Sequence, residues 1–421
     1  MSRFLFLYGW VAASIFTLFQ PAPASSADWP AFRGPSGDGQ VTEAGLPLKW
    51  SDQENVRWKK PIPGDGWSSP VIRQGLIYLT AAVPESEEPQ SARSLRLMIL
   101  RATDGELVRN QEVFAQNADA PRIHNKNSHA SPTPLIDGED VFVHFGHQGT
   151  ACFDLQGNPR WVNRNIQYAP VHGNGGSPIL AGDALIFSCD GAADPFVIAL
   201  NRRTGELLWR KPRSVDATRK FSFTTPTLIE VAGQQQVISP GSDVVMALNP
   251  TNGEEIWRFR YDGYSVIPKP IFANGLLYVC TGYNQPSLLA IRPDGLGDVT
   301  ETHLAWSTKR SVPHTPSLLL VGEQIYMVSD NGVASCLNAL NGEPYWTERL
   351  GGNFSASPIH GDNKIYFQDE AGKTTVIRPG TTFEKLAENT IGERTLASFA
   401  VADGALYLRS AQHLFRIQAQ P

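Results

Sequence analysis

Ser177-Pro-Ile-Leu-Ala-Gly-Asp-Ala-Leu-Ile-Phe-Ser-Cys189, followed by Thr204-Gly-Glu-Leu-Leu-Trp209, decides the fold. A Ser-Pro pair leads into a short apolar strand, Gly182-Asp183 turns the chain, and a second apolar strand runs to Cys189. A Thr-Gly-Glu turn then brings in a strand that ends on Trp. The opening phrase returns as Ser69-Pro70, Ser131-Pro132, Thr225-Pro226, Lys269-Pro270, Thr315-Pro316 and Ser357-Pro358, with successive prolines 62, 46, 48, 44, 46 and 42 residues apart. The long first interval holds Pro84 to Ala92, rich in Glu, Ser and Pro, which reads as an exposed loop. The closing phrase returns as Asn252-Gly-Glu-Glu-Ile-Trp257 and Asn341-Gly-Glu-Pro-Tyr-Trp346, and Trp161 and Trp306 end their copies in the same place. Between the two lie period-2 runs such as Gln324-Ile-Tyr-Met-Val328, the signature of half-buried strands.

Each copy therefore predicts four short antiparallel strands. One such sheet cannot bury both faces, so the copies must stack. A radial ring leaves only short edges, whereas a linear solenoid needs polar capping repeats that neither end supplies. The expected fold is all-β, an eight-bladed β-propeller of four-stranded antiparallel blades. An eighth, degenerate copy runs from Ala397-Ser398-Phe399 through Ala405-Leu-Tyr-Leu408 to Leu414-Phe-Arg-Ile417, and it stops after three strands. The stretch from Leu46-Pro-Leu-Lys-Trp50 to Val56-Arg-Trp-Lys59 has the character of an outermost strand with no partners before it. It is expected to close the last blade. The outer-strand tryptophans are expected between blades, each indole N–H finding an acceptor there.

Composition agrees: 37 Gly and 31 Pro against 18% charged residues describe a turn-rich, helix-poor chain. Arg3, the apolar run Phe4 to Phe19 and the small residues up to Ala27 read as a signal peptide over residues 1–27, cut before Asp28. The run of 16 residues is shorter than a bilayer span. Residues 28–421 are then a single exported propeller, periplasmic or outer-membrane-associated, with secretion the other destination, and expected to be a monomer. The net charge is −5, one unit more negative without Arg3, which offers no basic face for nucleic acid. Cys152, Cys189, Cys280 and Cys336 sit in apolar runs with no Cys-x-x-Cys or Cys-Cys pair, so buried free thiols are expected rather than disulfides, zinc or haem.

The repeats resemble those of the pyrroloquinoline-quinone (PQQ) repeat superfamily, which includes BamB-type outer-membrane assembly factors and quinoprotein dehydrogenases. Asp28-Trp-Pro-Ala-Phe-Arg-Gly-Pro-Ser-Gly37, His129-Ala-Ser-Pro132, His172-Gly-Asn-Gly-Gly-Ser-Pro178 and Val328-Ser-Asp-Asn-Gly332 are similar to BamB-like propellers of planctomycete-type bacteria. The likeness covers residues 28 to 421 and implies a blade-packing motif, which by itself binds no quinone. Dehydrogenase members carry a Cys-Cys disulfide, a calcium shell and a catalytic Asp. The disulfide has no counterpart here and the calcium ligands map to no position, so PQQ with calcium is not the expected cofactor.

In a propeller the segments leading into the innermost strands share a face with the turns between second and third strands. Those segments carry Lys126, His129, His172, Asn174, Arg219, Lys220, Tyr264, Lys269, His314 and Asn353, and the turns add Asp330. A cationic, aromatic funnel on an acidic protein suggests an anionic or polyhydroxylated ligand, and Arg219 could grip an oxyanion with parallel bonds. The plain alternative is that Asp330 serves turn geometry and the histidines bond neighbouring backbone. No nucleophile elbow or metal-ligand spacing appears. The expected function is a non-catalytic binding or scaffolding propeller resembling BamB, engaging an envelope or outer-membrane protein or a saccharide-like ligand. A quinone-dependent oxidoreductase of alcohols or sugars and a carbohydrate-binding propeller are the alternatives.

Overall fold

The computed structural model describes residues 28–51, 53–88, 90–283 and 285–420; the leader expected over residues 1–27 lies outside them. Eight antiparallel sheets form the propeller, and the innermost strands of successive sheets are neighbours around the axis. Blade 3 is typical, with Ile179–Ala181 innermost, then Ala184–Cys189, Phe196–Asn201 and Leu207–Pro212 outermost. Val56–Pro61 pairs antiparallel with His413–Ile417, so the N-terminal strand closes the last blade as the repeat count predicts. Blade 4 gains a fifth, parallel strand, Gly297–Asp298, from the long connection inside blade 5. Among the described residues no helix is long and apolar enough to cross a membrane.

The outer tryptophans dock blade on blade. Trp161 Nε1 donates to Arg202 O (2.7 Å), Trp209 Nε1 to Pro250 O (2.9 Å) and Trp306 Nε1 to Ala339 O (2.9 Å), each acceptor lying in the next blade. Each ring covers the Gly of the next blade's Gly-Glu turn. Gly205 and Gly253 hold φ of +73° and +72°, and a Cβ there would stand 2.4 and 2.6 Å from the indole. The repeated glycine is thus required by conformation and by contact. Trp257, under the fifth strand of blade 4, turns instead to Gln236 Oε1 in its own blade. All four cysteines are free and buried.

A second belt of bonds circles the axis. Two residues before each innermost strand stand Ser69, Thr133, Ser177, Thr225, Lys269, Ser317, Ser357 and Ser398. The backbone N–H of Ser69, Thr133, Ser177, Lys269, Ser317 and Ser357 donates to the hydroxyl of the next blade's residue at 2.9–3.0 Å. In blades 2 and 6 the equivalent positions are Thr133 and Ser317, two residues beyond the Ser131 and Thr315 that the proline spacing selects. A strand's period of two makes both registers look alike in sequence.

The segment from Asp28 to Val41 crosses the channel and plugs one end. Trp29 exchanges backbone bonds with Ile72 of blade 1, and Pro30 O accepts from Ile136 N of blade 2. Arg33, wholly buried, donates to Leu318 O (2.7 Å) and Pro358 O (3.2 Å) in blades 6 and 7, and Gly39 and Val41 bond His360. The chain then lays Trp50 against Tyr366 before turning into the closing strand.

Candidate functional site

Opposite the plug the channel opens as a blind cup of about 490 Å³, with Phe32 of the plug on its wall and the hydroxyl belt around its lower part. The mouth is built by the segments leading into blades 2 to 6. Their backbones are stitched together: His124 N donates to His172 O (3.1 Å), Phe223 N to Val266 O (2.7 Å), Ser265 N to Phe221 O (2.9 Å) and Tyr283 N to Tyr264 O (2.7 Å). His172 itself adopts φ of +64°. Loops held this way need little ordering when a partner arrives, which lowers the cost of binding.

An arc of rings follows from that stitching. His124 meets His172 at 5.8 Å, His172 meets Phe221 at 5.2 Å, and Phe221 meets Tyr264 at 5.7 Å. Tyr264 meets Tyr283 at 5.9 Å, and Tyr283 meets His314 at 4.8 Å. The Arg219 guanidinium lies 4.6 Å over the Tyr264 ring and donates to its hydroxyl. Tyr283 remains 49% exposed, so its ring is open to a partner. On the opposite side Lys126 reaches across to Glu370 of blade 7 (2.7 Å), and Arg394 donates to Asn125 O (3.0 Å). The segment before blade 2 is thereby strapped to blades 7 and 8.

Of the residues singled out from sequence, Lys126, His172, Arg219, Tyr264 and Asp330 line the cup. His314 stands at its edge, stacked on Tyr283. Asp330 accepts from His314 N (2.7 Å), Thr315 N (3.2 Å) and Thr315 Oγ1 (2.6 Å), so it shapes the approach to blade 6. The other five stand off the wall. His129 is turned to Gln116 Nε2 (2.9 Å) on the outer strand of blade 1, and burial pulls its pKa down to about 4. Asn174 accepts from the Tyr168 hydroxyl behind the wall. Lys220 is half-buried, and Asn353 is exposed, its carbonyl bonded to Glu370 N. Lys269 is a correction of a different kind: it belongs to the buried belt, and its Nζ donates down into the plug, to Gly37 O (2.8 Å).

The cationic funnel expected from sequence is therefore thinner in the structure. Lys126 is neutralised, Lys269 is buried and His129 lies elsewhere, which leaves Arg219 as the exposed cation of the wall. Sequence reasoning missed Trp67, Phe32 and the hydroxyl belt. The belt was within reach, since it falls at a fixed offset from each innermost strand. Asp190 takes a two-pronged, fully buried bond from Arg213 (2.6 and 2.8 Å), and Arg213 goes on to donate to Ser239 O (2.8 Å) of blade 4.

The donors present do not fit a calcium-bound quinone. Asp330 is the one carboxylate on the cup wall among the described residues, and three donors of blade 6 already occupy it. Among those residues no group of three His, Cys, Asp or Glu side chains is placed to hold a metal ion.

A sequence profile for the family described as outer membrane protein assembly factor BamB matches residues 48–211, 193–324 and 296–406. No curated protein matches the chain. The fold is similar to BamB from Moraxella catarrhalis (TM-score 0.58, 15% identity, 86% of this chain and 99% of that one). It is also similar to quinohemoprotein alcohol dehydrogenases from Pseudomonas putida (0.67, 11%, 93% and 80%) and Comamonas testosteroni (0.66, 10%, 94% and 81%). At such identities the likeness carries the propeller and leaves the chemistry to the site.

Proposed function

The chain belongs to the PQQ-repeat propeller family described as outer membrane protein assembly factor BamB, and from that premise we propose a non-catalytic binding propeller of the cell envelope that engages its partner at the cup. The observation that carries this reading is the pre-ordered arc His172, Phe221, Tyr264 and Tyr283 with Arg219 laid over it, above a cup closed at its far end. Aromatic faces beside a guanidinium are what a binding surface offers: large contact area at low entropic cost, with one charged anchor. The polar groups of the mouth are spent on holding loops in place, and among the described residues none on the wall is arranged as a nucleophile with its base.

The family description supports a protein partner, an envelope or outer-membrane protein presenting a segment to the mouth. A saccharide-like ligand is the second reading, favoured by the open ring of Tyr283 beside Tyr264. The test is capture from an envelope fraction by the wild type, by His172→Ala with Arg219→Ala, and by a rim variant, Leu296→Ala, at an exposed leucine on the long connection inside blade 5. The mouth pair is expected to lose what the wild type and the rim variant both retain, while its melting temperature moves by no more than about 2 °C, a shift on the scale of about 1–2 kcal/mol in a chain of this length. A large fall in melting temperature with capture intact would make the mouth mere architecture. Release by added saccharide would move the assignment to the second reading.

A further inference from the structure

We infer that the floor of the cup is an oxyanion site, which takes a carboxylate or phosphate group of whatever the mouth engages. This rests on the reading of the mouth as a binding site and goes one step deeper into it. A hydroxyl that accepts a backbone N–H still owns a proton to donate. Along the belt, the acceptor side of six hydroxyls is fixed by the preceding blade, Ser177 and Ser317 among them. Among the described residues none of these six donates to a protein acceptor. All six line the cup and are more than nine-tenths buried. Two arcs of donors, at Thr133, Ser177 and Thr225 and at Ser317, Ser357 and Ser398, ask for an acceptor-rich guest.

Two buried cations beneath the belt, behind the cup's lining rather than on it, set the charge felt at its floor. At the fifth blade the belt has Lys269 in place of a hydroxyl, with the single partner Gly37 O for its three protons. Arg33 lies beside the belt as well, since Leu318 and Pro358, whose carbonyls it holds, each follow a belt serine directly. Its buried Nε has no partner. The nearby Asp38 carboxylate is engaged by Gln40 N and Gln40 Nε2. Burial and the neighbouring Arg33 push the Lys269 ammonium down to about 7, as expected where two cations share a dry site. A multidentate oxyanion would accept from several belt hydroxyls at once and relieve that repulsion.

The test is calorimetric titration of the purified protein with sodium phosphate and, separately, sodium acetate, each against sodium chloride at matched ionic strength. One saturable site is expected for at least one oxyanion, and the two arms separate a phosphate head from a carboxylate head. Lys269→Met and Thr133→Val, on different sides of the belt, are each expected to weaken binding roughly tenfold, the scale of one lost charge-assisted bond. Thr133→Ser, which keeps the donor, is expected to restore it. Arg203→Gln, at an exposed turn of blade 3 outside the cup, is expected to change it less than about threefold. No saturable heat with either anion in the wild type would overturn the inference. Loss with Arg219→Gln and none with Lys269→Met would also overturn it, by moving the anion to the mouth, while leaving the mouth reading intact. Failure of the mouth reading is read independently, from envelope capture by the His172 and Arg219 variant.

Discussion

Lys269 stands where seven counterparts carry a hydroxyl, and its burial has a thermodynamic signature. Its pKa is about 7 in the folded chain, against 10.5 for an unburied lysine, with burial the first cause and Arg33 the second. A base whose pKa falls on folding takes up a proton when the chain unfolds between those two values. Stability therefore rises with pH from about 7 toward 10, by at most about 1.4 kcal/mol per pH unit for one proton. Lys269→Met removes that term. The expected outcome, read from urea unfolding at a series of pH values, is that wild type gains on the variant by a few kcal/mol across the window. Parallel curves would show that Lys269 is not buried as described. The sequence places Lys269 correctly before an innermost strand but says nothing of its direction. That depends on the plug, more than two hundred residues away in the chain. His129 and Asn174 stand off the cup lining for the same reason, since each is claimed by a neighbour, Gln116 or Tyr168, that no local pattern links to it.

At the scale of the element, the repeated Gly-Glu turn ties one blade to the next. Gly253 and Gly233 have similar conformations, φ of +72° and +78°, yet only Gly253 lies under an indole; a Cβ at Gly233 meets nothing within 4 Å. Gly233→Ala is expected to cost about 1 kcal/mol, the strain of a left-handed backbone alone. Gly253→Ala must also displace Trp209 and is expected to cost about 2–4 kcal/mol. Denaturant midpoints measure both, and equal losses would mean that the tryptophan docking adds nothing. Strands and turns were legible in the sequence because they recur at every blade, and the docking tryptophans because five of the eight outer strands carry one. The slip at Ser131 and Thr315 shows the limit: alternation identifies a strand and its faces, while hydrogen bonding to the next blade picks between registers two residues apart. The fifth strand of blade 4 breaks the repeat and had no sequence signal.

Across the whole molecule, the first described residues do two jobs. Trp29, Leu46, Trp50 and Trp58 are all buried, Arg33 spans the channel, and Val56–Pro61 closes the ring. The closing strand was legible because the last copy lacks one. The plug was not, since Asp28 to Val41 has no counterpart in the repeat. Deleting residues 28–60 is expected to leave unpaired strand edges on blade 8, a sharp fall in melting temperature and aggregation. A monomeric protein with an unchanged melt would contradict the closure. With the plug in place the channel is a cup with one opening, and the proposed function puts the partner at that opening. The most direct measurement replaces Phe221, at the mouth, and Leu208, on the outer strand of blade 3, with a photo-crosslinking phenylalanine analogue and irradiates the protein in an envelope extract. The account expects a discrete adduct from position 221 that disappears with Arg219→Ala, and none from position 208. An adduct from position 208 alone would place the working surface on the rim and contradict it.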